Sequence, residues 1–212
     1  MNVFESVDKF IIIFEGMNDE EEWEEDDFEF LLPKRGPIDK VFYPFDSKEP
    51  FKQCTMCQTQ FGNDTEYLVE KAVKGNDVIF EIAMCLACAE DMRNQLSADS
   101  MKRIEAYMSQ VNFEKRAEQF IQNPSDAISD FIGECVVSGQ KIDKDEEHQI
   151  YAYCQGKEMI YSALPYAISG AVMEEVQELL SPETKQEMDD FMDQYIIPDD
   201  LRDLLKGRPV LI

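Results

Sequence analysis

Two cysteine pairs stand 31 residues apart, Cys54 and Cys57 in QCTMCQTQ and Cys85 and Cys88 in AMCLACAED. A Cys-x-x-Cys turn presents two sulfurs to one side, with backbone amides that stabilise thiolate over thiol. Two such turns supply the four soft ligands that zinc takes at tetrahedral angles. Other uses of the spacing fit less well. A thiol–disulfide pair needs one Cys-x-x-Cys after a strand in a βαβ setting, and leaves the second pair without a role. An iron–sulfur cluster accepts four thiolates, but from denser motifs. A catalytic zinc would keep a water position beside an acid or base. The one histidine, His148, lies outside the ligand segment and reads as a strand residue. There is no Gly-rich phosphate loop, nucleophile elbow or paired His–Glu motif. The expectation is a structural Zn²⁺ on Cys54, Cys57, Cys85 and Cys88, with no catalytic residues.

The elements that must hold these sulfurs can be read from the flanking residues. EYLVEKAVKG and VIFEIAM read as two strands of a hairpin turning at Gly75, Asn76 and Asp77. Cys85 and Cys88 then open a helix with Leu86, Ala89, Met92 and Leu96 on one stripe. Ser97 caps a second helix, whose Met101, Ile104, Met108 and Val111 share a face. FEKRAEQFIQ reads as a third, ending at Asn123 and Pro124. The order of cysteine knuckle, hairpin and cysteine pair at a helix start resembles the treble-clef zinc finger. The resemblance runs from about Cys54 to Leu96 and matches all four ligands. It implies a structural zinc and a role in binding nucleic acid or protein.

The pattern returns downstream. An 81-residue step carries the four cysteines to Cys135, Ser138, Tyr166 and Ser169, and carries Gly75 to Gly156, Ile79 to Ile160 and Phe80 to Tyr161. With three extra residues in the following helix, SADSMKRIEAYMSQ from Ser97 lies over SPETKQEMDDFMDQ from Ser181. An internal duplication follows, whose second copy has lost its ligands, since two serines and a tyrosine are poor zinc donors. Cys135 and Cys154 are then expected as buried structural thiols. The expected fold class is α+β, with two tandem hairpin-plus-helices modules at residues 51–124 and 132–212. Met101, Ile104 and Met108 are expected to pack against Met188, Phe191 and Met192.

Residues 1–50 differ in composition and are expected to add a strand or helix and an acidic loop. Nine of the eleven residues from Asp19 to Glu29 are acidic. Such a run is ordinarily solvated. Trp23, Phe28 and Phe30 nevertheless set hydrophobic anchors in its negative field, and with Glu20, Glu21, Glu24 and Glu25 they form a candidate partner-binding segment. The formal charge of −25 opposes approach to a phosphate backbone or an anionic membrane and favours a basic protein partner. No apolar run is long enough to span a bilayer, and without an export signal the expected location is the cytoplasm. The leading expectation is a non-enzymatic, zinc-stabilised adaptor or regulator. A nucleic-acid mimic that inhibits a DNA- or RNA-binding protein is the alternative, and a metal-dependent enzyme using surface carboxylates is a third.

Overall fold

A computed structural model describes residues 33–122 and 127–195. The first strand, β1 (Lys34–Pro37), leads into a 3-10 turn over Lys40–Phe42, capped by Asp39, whose carboxylate accepts from the Val41 N–H. The long strands β2 (Glu66–Lys74) and β3 (Asp77–Cys85) form the expected hairpin. Three helices follow: α1 (Leu86–Gln95), α2 (Ala98–Met108) and α3 (Phe113–Gln122). A short α4 (Ser129–Ile132) precedes β4 (His148–Gln155), β5 (Glu158–Tyr161) and β6 (Tyr166–Ser169). The described residues close with α5 (Gly170–Leu179) and α6 (Pro182–Tyr195). The chain is thus mixed α/β, one six-stranded antiparallel sheet with six helices among the described residues.

The sheet order is β1-β5-β4-β2-β3, with β6 also paired to β4. Both hairpin turns need glycine: Gly75 has φ of 62° and Gly156 of 57°, a region that costs other residues steric strain. At the centre β2 and β4 lie antiparallel from Glu66 opposite Gln155 to Val73 opposite His148, with Glu70 facing Tyr151. The alternation of strand side chains sends Tyr67, Val69, Ile150, Ala152 and Cys154 to one face. There they pack with Ile38, Phe42 and Phe131. The other face carries the longer helices. Ala72, Phe80, Ile82 and Met84 meet Ala89 and Met92 of α1 with Phe191 and Met192 of α6. Tyr151, Tyr153, Tyr166 and Ile168 meet Val172, Met173 and Val176 of α5 with Phe113 of α3.

Two expectations are corrected here. The stripes of α2 and α6 do not form one mutual contact. Ile104 and Met108 of α2 join the cluster around α5, whereas Phe191 and Met192 of α6 join the cluster around α1 and β3. Each of these helices follows one hairpin in sequence and packs on the other. The helix N-termini meet instead, through hydroxyls. The Ser97 N–H donates to Thr184 Oγ1 at 3.0 Å, the Ser181 N–H to Ser100 Oγ at 2.8 Å, and the Ser97 and Ser181 hydroxyls lie 3.0 Å apart. If the two hairpins are set over each other, the three-residue offset expected within the following helix falls before that helix instead. The chain between β5 and β6 contains the cis Leu164–Pro165 bond, and α5 is again ten residues long, as α1 is.

Candidate metal centre

The first pair of sulfurs is set by a reversing turn. Phe61 N–H donates to Lys52 O at 2.8 Å, Cys54 N–H to Thr59 O at 2.9 Å, and Gln58 N–H to Cys54 O at 3.0 Å. Gln58 takes φ of 61°, the single described non-glycine residue with positive φ. Its side-chain amide compensates by donating to Thr55 O at 2.9 Å. Thr55 anchors this knuckle to β3: its N–H donates to Ala83 O at 2.8 Å, and its hydroxyl accepts from the Ala83 N–H at 3.1 Å. That contact lies two residues from Cys85, which is the N-cap of α1, with Cys88 in the first turn. Strand, turn and helix therefore converge on one point.

The four sulfurs of Cys54, Cys57, Cys85 and Cys88 all lie within 4.8 Å of one another. Cys57 and Cys85 are 3.8 Å apart. Four thiolates at about 2.3 Å from a tetrahedral ion would be separated by about 3.8 Å, so the spacing suits a zinc-sized centre. Cys54 and Cys88 are buried, Cys85 is half-buried and Cys57 is exposed. Their protonation pulls in opposite directions. The Thr59 hydroxyl and amide beside Cys57 lower its thiol to about 6. Burial raises Cys88, and its cysteine neighbours raise it further. Burial also raises Cys85, against the Cys88 amide, which favours the thiolate. Four adjacent thiolates repel one another, and a divalent cation at their centre removes that cost. The donor set is all sulfur and fills a tetrahedral shell, which suits a closed structural site. Among the described residues it is the one cluster of His, Cys, Asp or Glu side chains arranged to hold a metal.

The backbone around Cys135 takes the same form. Cys135 N–H donates to Gln140 O and Gly139 N–H to Cys135 O, both at 2.8 Å, and Gly139 has φ of 66°. Isolated bridges flank both turns, Gln53 with Gln60 and Glu134 with Lys141. Val136 N–H donates to Ala167 O as Thr55 does to Ala83. The N-cap of α5 is Ser169, so Ser169 holds the place of Cys85 and Val172 that of Cys88. Tyr166, which the uniform 81-residue step matched to Cys85, begins β6, three residues before the helix N-cap. Cys135 is 1% exposed. Burial would raise its thiol, but hydrogen bonds from Ser138 and Ser169 outweigh this and lower it.

Cys154 is fully buried in β4, and burial pushes its thiol up to about 12. His148 begins β4, and its Nδ1 lies 3.0 Å from Glu146 O. Glu20, Glu21, Trp23, Glu24, Glu25, Phe28 and Phe30 lie outside the described residues. Sequence reasoning missed the paired Lys71 and Glu81, 3.0 Å apart and largely buried, although opposite charges at facing strand positions were a readable signal. Among the described residues no helix is long and apolar enough to cross a membrane. Compared with protein-family models, curated protein sequences and solved structures, the chain matches none.

Proposed function

We propose that the chain is a non-enzymatic, zinc-stabilised interaction module that selects a basic protein partner. The observation that carries this reading is the four-sulfur cluster at the junction of knuckle, hairpin and helix, because such a donor set leaves a zinc ion no open coordination position. Zinc there joins three chain segments and serves folding rather than turnover. The same order of parts supports the treble-clef resemblance. The matching turns at Cys54 and Cys135, the facing of Glu70 and Tyr151 at the centre of the β2–β4 ladder, and the reciprocal serine and threonine contacts support two copies of one module related by an approximate two-fold axis. In the second copy Cys135, Ser138, Ser169 and Val172 replace the metal with hydrogen bonds and packing.

Partner selection rests on charge. A chain at −25 attracts a cationic surface from a distance and repels nucleic acid. The acidic run with Trp23, Phe28 and Phe30 then supplies aromatic anchors within a steering field. Affinity capture from the native host, followed by mass spectrometry of the retained proteins, tests the reading. A discrete basic partner, whose complex weakens with salt, supports it; retention of nucleic acid, or turnover of a small molecule by the zinc-loaded chain, contradicts it. With the partner in hand, Trp23→Ala should speed dissociation and cost about 2 kcal/mol of affinity. Glu20, Glu21, Glu24 and Glu25 changed together to Gln should mainly slow association.

A further inference from the structure

The two ends of the sheet differ. At one end β1 covers β5, with Lys34 facing Tyr161, Arg35 facing Ile160, Gly36 facing Met159 and Pro37 facing Glu158. The Arg35 guanidinium donates to the Gln155 side chain and lies 3.7 Å from the Glu158 carboxylate. At the other end, among the described strands, β3 pairs with β2 alone. Its Asp77, Val78, Ile79 and Phe80 hold the places that Glu158, Met159, Ile160 and Tyr161 hold in the second hairpin. Among the described residues no strand lies along their outer side. Farther on, the knuckle already occupies the edge at Ala83. The open stretch therefore runs from Asp77 to Glu81.

An open row of backbone N–H and C=O groups accepts an added strand, and side chains beside the row select which one. Asp77 is exposed and stands where Glu158 meets Arg35. The Glu81 carboxylate is held by Lys71 and by the Phe45 N–H at 2.8 Å, which places Phe45 next to the same edge. Phe45 is 63% exposed, the one large apolar side chain so exposed among the described residues. Resting on the reading of the chain as an acidic interaction module, we propose that the outer edge of β3 from Asp77 to Glu81 docks an extended basic segment of the partner protein. The segment adds as an antiparallel strand. A Lys or Arg opposite Ile79 reaches Asp77 as Arg35 reaches Glu158, and an apolar neighbour covers Phe45. The register shift at Ala72 and Val73 limits the docked stretch to a few residues, so the edge reads a short motif.

The probe is a capped, fluorescent peptide with the sequence of residues 32–38, LPKRGPI, titrated into the zinc-loaded full-length chain, with backbone amide shifts recorded in parallel. Saturable binding with shifts confined to Asp77–Glu81 and Phe45 is expected. Asp77→Lys should weaken it at least tenfold and Ile79→Pro should abolish it, both at unchanged zinc content and circular dichroism. Glu183→Lys, on α6, should change it less than twofold. No binding, shifts elsewhere, or equal binding of a scrambled peptide of the same charge overturns the proposal. So does binding that appears only after removal of residues 196–212, which contain Lys206, Gly207, Arg208 and Pro209, because the edge would then serve the chain itself. Capture of a basic partner that Asp77→Lys and Ile79→Pro leave undiminished defeats this docking site alone. Failure to capture any basic partner defeats the functional reading on which it rests.

Discussion

Cys54 and Cys135 sit in the same backbone turn and have different work to do. Cys54 shares its turn with Cys57 and faces Cys85 and Cys88, whereas Cys135 meets the hydroxyls and backbone of Ser138 and Ser169 within an apolar cluster. A structural zinc contributes on the order of 10 kcal/mol of folding free energy, so Cys85→Ser should leave the zinc-bearing hairpin unfolded. Cys135→Ser should cost about 2 kcal/mol, the range of an ordinary buried site, measured by denaturant unfolding. Equal losses from the two would remove the distinction between the turns. The correspondence can also be reversed. Ser138→Cys, Ser169→Cys and Val172→Cys together should create a second four-thiolate site, raising the bound zinc from one to two per chain. The set Ser138→Cys, Tyr166→Cys and Ser169→Cys should not, because Tyr166 begins β6, three residues before the helix N-cap, and the place of Cys88 would still hold Val172. The hairpin glycines make a separate comparison. Gly75→Ala meets open space and should cost about 1 kcal/mol for its positive φ. Gly156→Ala would bring its Cβ to 2.5 Å from Asn63 O and should cost at least about 2 kcal/mol in the same unfolding measurement.

At the scale of elements, local signals carried the sequence reading far, and long-range choices did not. The strands of the first hairpin, Cys85 and Ser97 as helix starts, and the third helix at Phe113–Gln122 all follow from alternation, capping and glycine placement. The clustering of the four cysteines was equally legible, because their spacing is local on both sides of the hairpin. The exchange of α2 and α6 was not legible, since an amphipathic stripe declares that it is buried but not against what. Where the two hairpins differ in length was not legible for a similar reason. Residues 162–165 leave the strand pattern without breaking it, and only the ladder of β4 with β5 and β6 locates the excursion. The exchange has a measurable consequence. Phe191→Ala removes a ring that shares a cluster with Met84 of β3 and Met92 of α1, the elements that carry Cys85 and Cys88. It should cost about 3 kcal/mol and speed zinc transfer to a competing chelator, although Phe191 lies in the last described helix. A loss of stability with unchanged transfer kinetics would mean that α6 does not brace the metal centre.

The whole molecule is held by the contact of β2 with β4, so the two halves cannot be treated as beads on a string. A fragment of residues 51–124 would expose the inner edge of β2 and lack α6, and it should remain largely unfolded even with excess zinc, as judged by amide dispersion. Because a zinc ion on the four cysteines would join β3, α1 and the knuckle to this shared sheet, its removal should unfold more than the first hairpin and abolish the single cooperative thermal transition of the zinc-loaded chain. The most direct test of the central claim is elemental analysis of the purified full-length chain beside Cys85→Ser. The account predicts one zinc per chain, colourless in the visible range, and none retained by the variant. Absence of metal from the parent chain, a stoichiometry near two, or iron with visible absorption would contradict it.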